Sequence, residues 1–281
     1  MRWQGSRRSS NVEDYRGKRF GGAGLKLGAG GMLIALVAAY FLGIDPSVLL
    51  GLTQGLPSGP DPTAETGVPQ DEAGEFMSAV LGDTEDTWSA IFAANGAHYT
   101  PPTLVLFSDQ VRTGCGFASA AVGPFYCPAD QRVYIDLAFY DELQTRFAAP
   151  GDFAQAYVLA HEVGHHVQTL LGTEREVRAA QRGASESESN QLQVRMELQA
   201  DCYAGIWAHN ADRVRQLVEQ GDVDEALQAA SAVGDDTIQR RTQGHVVPDS
   251  FTHGSAEQRT TWFTRGFETG SLQACNTFAD L

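Results

Sequence analysis

The residues His161-Glu162-Val163-Gly164-His165 form an HExxH motif. On a helix, two imidazoles four positions apart share a face and grip one divalent ion, while the intervening glutamate reaches a water beside it. A catalytic zinc holds three protein ligands and keeps one position open, so a third ligand is required. The continuation His166 to Gly172 lacks the downstream glycine and histidine of the metzincin pattern, so that ligand must come from elsewhere. Glu197-Leu198-Gln199-Ala200-Asp201 places two carboxylates on one face of a second helix. With HExxH present, Glu197 is the expected third ligand, and Asp201 the expected acceptor from the free ring nitrogen of His161. Taken alone, the pair would read as surface acids. The implied chemistry is hydrolysis with one Zn2+ per chain and Glu162 as general base. A tetrahedral oxyanion needs an electrophilic partner; His253, in Ser250-Phe251-Thr252-His253-Gly254, is the candidate, with Arg259 further along the next helix. As a surface histidine, His253 would have no role, and none is given to His98, His166, His209 or His245.

Several elements must position these groups. A helix is expected from Asp152, paired with Gln155 as a cap, to Gly172, with the apolar stripe Phe153, Ala156, Ala160, Gly164, Val167 and Leu171. At about 100° per residue the two histidines fall beside that stripe, which puts an ion at the edge of the core. Asn190 to Asn210 reads as a second helix with the stripe Leu192, Met196, Ala200, Tyr203 and Trp207. Packed stripe to stripe, the two helices turn their polar groups toward one cleft. Thr103 to Phe107 reads as a strand, and Phe125-Tyr126 with Val133 to Leu137 as a hairpin. Val133 to Leu137 is the expected edge strand for an extended peptide. Gly183 to Asn190 (GASESESN) reads as a mobile polar loop, and Ser255 with Gln258 as a helix cap.

The 281 residues carry a net charge of −15, unevenly spread. Residues 1–26 hold seven Lys and Arg against two acids, and the rest holds 13 basic against 33 acidic residues. So acidic a body argues against nucleic acid as a partner. Residues 27–44 are 18 uncharged, mostly apolar positions, long enough to span a bilayer. The expected organisation is a basic cytoplasmic tail (1–26), a transmembrane anchor (27–44), a Pro/Gly-rich linker (45–75) and a metallopeptidase-like domain (76–281). By the positive-inside bias this is a single-pass protein with its N-terminus in the cytoplasm and its catalytic domain outside. A cleaved signal peptide is the rival reading. Cys115, Cys127, Cys202 and Cys275 suit two disulfides in an oxidising compartment, Cys115 to Cys127 and Cys202 to Cys275.

The chain resembles the bacterial neutral zinc metallopeptidase family. The likeness rests on Met1 to Gly5, Asn11 to Asp14, Cys115 to Ala118, Gly123 to Pro128, His161 to His166, Glu197 to Cys202 and Ser250 to Gly254. It implies a gluzincin-like fold, and with the elements read above the expectation is a mainly helical α+β domain with a small antiparallel sheet beside the HExxH helix, after one transmembrane helix. It also implies His161, His165 and Glu197 as ligands and Glu162 as the catalytic group. Similarity to membrane-associated gluzincins implies that His253 and Arg259 correspond to their Thr-His…Arg element. The expected activity is a membrane-anchored zinc endopeptidase acting on a peptide or protein outside the cytoplasm. The alternatives are a zinc-binding scaffold of the cell envelope with little hydrolysis, and a metal-free structural protein in which HExxH is accidental.

Overall fold

A computed structural model describes residues 1–18 and 63–279. Met1–Arg16 and Glu65–Leu281 cluster into one unit, and Gly17–Ala64 into another. In the second, Lys18 donates to the carbonyl of Thr63.

The first unit has a five-stranded sheet in the order β2-β1-β3-β7-β6. Its strands are β1 (Val12–Asp14), β2 (Glu65–Thr66), β3 (Thr103–Phe107), β6 (Phe125–Cys127) and β7 (Arg132–Asp136). A separate antiparallel hairpin is formed by β4 (Gln110–Thr113) and β5 (Gly116–Ser119). The large sheet is mixed rather than antiparallel. β1, β3 and β7 run parallel, because long connections bring the chain back in the same direction, whereas the short turn after Cys127 makes β6 antiparallel to β7. Val133 to Leu137 is therefore not an edge: β7 lies between β3 and β6, and β6 is the edge strand.

The helices are α1 (Glu72–Ala94), α2 (Ala138–Thr145), α3 (Asp152–Leu171), α4 (Thr173–Gln181), α5 (Glu186–Arg213), α6 (Asp222–Ala232), α7 (Asp235–Gln243) and α8 (Ala256–Thr269). α3 has the expected length and ends at Gly172 in the left-handed conformation, but its N-cap is Gly151. The Asp152 side chain instead takes two hydrogen bonds from the Met1 amino group. α5 starts earlier than the sequence implies. Ser185 and Glu188 form a capping box, so most of the supposed polar loop is the first turns of a helix.

The division of the chain at its N-terminus also needs correction. Residues 1–16 are not a tail separate from the domain. Trp3 packs edge-on against Phe76, Val12 is buried, and β1 lies between β2 and β3. Glu85, buried on α1, accepts hydrogen bonds from Arg7, Ser9 and Asn11, which together supply the partners that a buried carboxylate needs. Residues 65–75 are likewise not all linker, since β2 and the start of α1 belong to the unit. The two stretches that flank residues 17–64 in sequence, Met1–Arg16 and Glu65–Leu281, thus pack into one unit. The segment 27–44 itself lies outside the described residues; among the described residues no helix is long and apolar enough to cross a membrane.

Close helix contacts set the geometry of the site. A Cβ on Gly164 of α3 would lie 3.0 Å from the carbonyl oxygen of Ala200 on α5, so two small residues allow the HExxH helix and its partner to approach. Between α5 and α8 the approach is tighter. A Cβ on Gly266 would meet the Cys202 carbonyl at 2.0 Å, and one on Gly205 the Phe263 carbonyl at 2.1 Å. The disulfides pair Cys115 with Cys127 and Cys202 with Cys275, as expected.

Candidate metal centre and active site

His161 and His165 project from α3 with ring centroids 4.8 Å apart and planes nearly perpendicular. Glu197 faces them from α5. Its Oε2 lies 3.2 Å from His161 Nε2 and 3.5 Å from His165 Nε2. One ligand atom from each of the three lies within 4.8 Å of the others. The remaining polar atom of each is already engaged. His161 Nδ1 donates to Asp201 Oδ1 at 2.8 Å, His165 Nδ1 to Gln168 Oε1 at 2.9 Å, and Glu197 Oε1 accepts from Gln193 Nε2 at 2.8 Å. Two Nε2 atoms and one carboxylate oxygen are thereby left converging. This set fits a zinc ion, which takes nitrogen and oxygen ligands whose orientation is fixed from behind.

Asp201 is the most connected of these partners and is fully buried. Besides His161, it accepts from Tyr157 Oη at 2.6 Å and from Arg259 through Nε (2.8 Å) and Nη2 (2.9 Å). Burial pushes the Asp201 carboxyl up, but Arg259 and His161 outweigh it and hold the group at about 2. For His161, burial favours the neutral ring, and the two carboxylates reverse that, raising it to about 10. Glu197 is held well below the usual range: burial opposes ionisation, and the two histidines overcome it. Arg259 thus reaches the site through Asp201 and Tyr157, with Nη2 also donating to Tyr157 Oη at 3.2 Å.

His161, His165, Glu197 and Arg259 line an open cleft of about 370 Å³, which Glu162 and His253 share, while Asp201 lies behind its wall. Glu162 is 8% exposed, within reach of solvent in the cleft but enclosed by its walls. The edge strand β6 forms one wall. His166 Nε2 donates to the carbonyl of Thr100 at 2.7 Å, which leaves Nδ1 to accept from Tyr126 Oη at 3.1 Å. Burial keeps the His166 ring toward its neutral form. The residue given no role from sequence therefore fastens β6 to the HExxH helix.

His253 stands at the mouth of the cleft with 52% of its side chain exposed. Its Nδ1 faces Asp235, and this pairing raises its pKa, outweighing the partial loss of solvent on the side that faces the loop. Sequence reasoning passed over Gln168, Gln193 and Tyr157, although their spacing offered a signal. They stand three or four residues from His165, Glu197 and His161, the helical spacing that brings side chains together. Asp235 gave no such signal, being 18 positions from His253.

A second group of converging acids, Asp152, Asp222 and Glu225, surrounds the amino group of Met1. That ammonium supplies the positive charge there.

The family model described as "Putative neutral zinc metallopeptidase" matches residues 1–278. The chain is 51% identical over 288 residues to "Uncharacterized protein YpfJ" of Escherichia coli K12, covering 99% of each chain. It is 45% identical over 218 residues to "Uncharacterized protein Rv2575" of Mycobacterium tuberculosis H37Rv, covering 74% of this chain and 73% of that one. No solved structure matches. With a family model covering nearly its whole length and a ligand set that fits zinc, the chain belongs to the neutral zinc metallopeptidase family.

Proposed function

We propose that the protein is a zinc-dependent endopeptidase, and the observation that carries this reading is the convergence of His161 Nε2, His165 Nε2 and Glu197 Oε2 beside Glu162 in an open cleft. When bound, zinc supplies a Lewis acid for the scissile carbonyl and lowers the pKa of water. Glu162 takes the proton of the attacking water and delivers it to the leaving amine. His253 Nε2 donates to the oxyanion that develops on the carbonyl oxygen. Asp201, Gln168 and Gln193 hold the three ligands in orientation, and Arg259 neutralises Asp201. The peptide lies along β6, whose outer edge has no neighbour in the sheet among the described residues.

The test uses the full-length chain, because a fragment beginning after residue 44 would lack β1. One zinc per chain, lost or weakened in His161→Ala and Glu197→Ala, supports the site. Glu162→Gln should keep zinc and lose turnover of a mixed peptide substrate. Zinc bound with no turnover by the wild type would favour the scaffold reading, and no zinc would overturn both.

Two disulfides favour an oxidising compartment outside the cytoplasm and a peptide or protein substrate there. The apolar run 27–44 is the proposed point of bilayer contact, with both of its flanks on one face of the membrane. Release of the protein by an alkaline wash, or protease protection of residues 1–16 alone, would sink that proposal.

A further inference from the structure

Asp235, the first residue of α7, gathers the loop that carries His253. Its Oδ2 accepts three consecutive backbone amides, from Thr252 at 2.7 Å, His253 at 2.6 Å and Gly254 at 3.0 Å. Its own amide donates to the Gly254 carbonyl at 2.9 Å, and the neighbouring Asp236 accepts from the amide of Ala256 at the start of α8. Gly254 adopts a φ of +93°, and a Cβ there would lie 3.2 Å from Leu198 and 3.3 Å from Val194, both on α5. The loop is therefore wrapped around one carboxylate and pressed against the helix that supplies Glu197.

Three amides on Oδ2 fix the direction of Oδ1, which lies 3.3 Å from His253 Nδ1, while Thr252 Oγ1 lies 3.1 Å from the same nitrogen. A half-exposed histidine on a loop otherwise samples several rotamers. Here Nδ1 is engaged by Asp235 and Thr252 together, and of the two only Asp235 carries a charge, so Nε2 is the nitrogen left for the cleft. We propose that Asp235 is a positioning residue that holds His253 with Nδ1–H on its carboxylate and Nε2–H aimed at the reacting carbonyl. The proposal deepens the peptidase reading above and rests on it for the role of Nε2, but not for the orientation of the ring. A carboxylate at Nδ1 also favours the doubly protonated ring, the form that donates from Nε2. The other charged groups facing His253 are Glu197 on α5, which favours that form, and Arg259 on α8, which opposes it.

The experiment is a pH titration of the zinc-loaded full-length protein with isotope-labelled histidine, followed by NMR, with the His253 signals identified from a His253→Gln variant. Asp235→Asn keeps an oxygen for the three amides and removes the charge. The expected result is a His253 midpoint moved to lower pH with zinc content unchanged. On a peptide substrate kcat should fall, by no more than the about hundredfold to thousandfold that losing an oxyanion donor outright costs, with KM little altered. In the His253→Gln background the same change should cost nothing further. An unmoved His253 midpoint, or an equal loss of kcat in the His253→Gln background, would overturn the proposal. If the wild type turns over no peptide, the peptidase reading fails, and the His253 midpoint alone decides whether Asp235 sets the ring.

Discussion

Replacing Asp201 by Asn separates what this residue does for the fold from what it does for the metal. Asp201 is fully buried and carries the negative charge that balances Arg259, itself 4% exposed. An amide in its place leaves a guanidinium in the interior without the carboxylate that bonds it directly, a change that costs about 3–5 kcal/mol when one partner of a buried pair is removed. Against a total stability of about 5–15 kcal/mol for a domain, that is a large fraction. The same substitution deprives His161 Nδ1 of its carboxylate, and loss of such a partner lowers metal affinity by about 10–100-fold. The two effects part in the double variant Asp201→Asn/Arg259→Met, which buries no lone charge. Urea unfolding should show much of the lost stability restored, while competition with a chelator should show zinc affinity still reduced. If stability in the double variant were the sum of the two single losses, the uncompensated-charge account would be wrong. If zinc affinity returned together with stability, Asp201 would act only through folding.

Four further outcomes are expected. Gly266→Ala drives a methyl into the Cys202 carbonyl and should destabilise by about 3 kcal/mol or more, the upper part of the overpacking range, read as a fall in the urea midpoint. Asp71, bound to Arg16, is held at about 2 against an ordinary 3.8. Its share of stability is present above pH 3.8 and lost as pH falls toward 2, so Asp71→Asn should make urea midpoints fall less between pH 5 and pH 2. Cys202–Cys275 closes a loop with a sequence separation of 73, for which chain entropy predicts about 4 kcal/mol. Cys202→Ala/Cys275→Ala should lower the unfolding midpoint and also weaken zinc retention, since Gln168 bonds Gln199, and Gln199 bonds the Cys275 carbonyl. Deleting residues 1–16 should yield insoluble or unfolded protein by gel filtration and circular dichroism, because β3 loses a neighbour and Glu85 loses three donors.

The parts of the site most legible in the sequence are those that helical periodicity governs. The spacing of His161 and His165, and of Glu197 and Asp201, already fixes which side chains share a face, and the two apolar stripes meet at Gly164 and Ala200, although Leu171 at the end of one is exposed and Leu192 at the start of the other only half-buried. The N-terminal strand was not legible. Met1, Trp3 and Val12 are isolated apolar positions among charged ones, and a three-residue strand has no periodicity to detect. Its place depends on Glu85 and β3, far away in sequence. The edge strand was misread for a related reason: an alternating run marks a strand, but its neighbours in the sheet depend on how remote segments cross. Asp235 lies beyond any local pattern, because a carboxylate that captures a distant loop leaves no trace in spacing.

The order in which the parts of the site appear along the chain bears on synthesis. The histidines and Glu162 leave the ribosome well before Asp235, His253 and Arg259, and Arg259 comes from α8, near the C-terminus. Until α8 packs against α5, Asp201 lacks its guanidinium and the cleft lacks its loop histidine. A nascent chain therefore carries the HExxH motif before the loop and helix that complete the cleft around it, and the candidate metal centre forms ahead of the groups that face it.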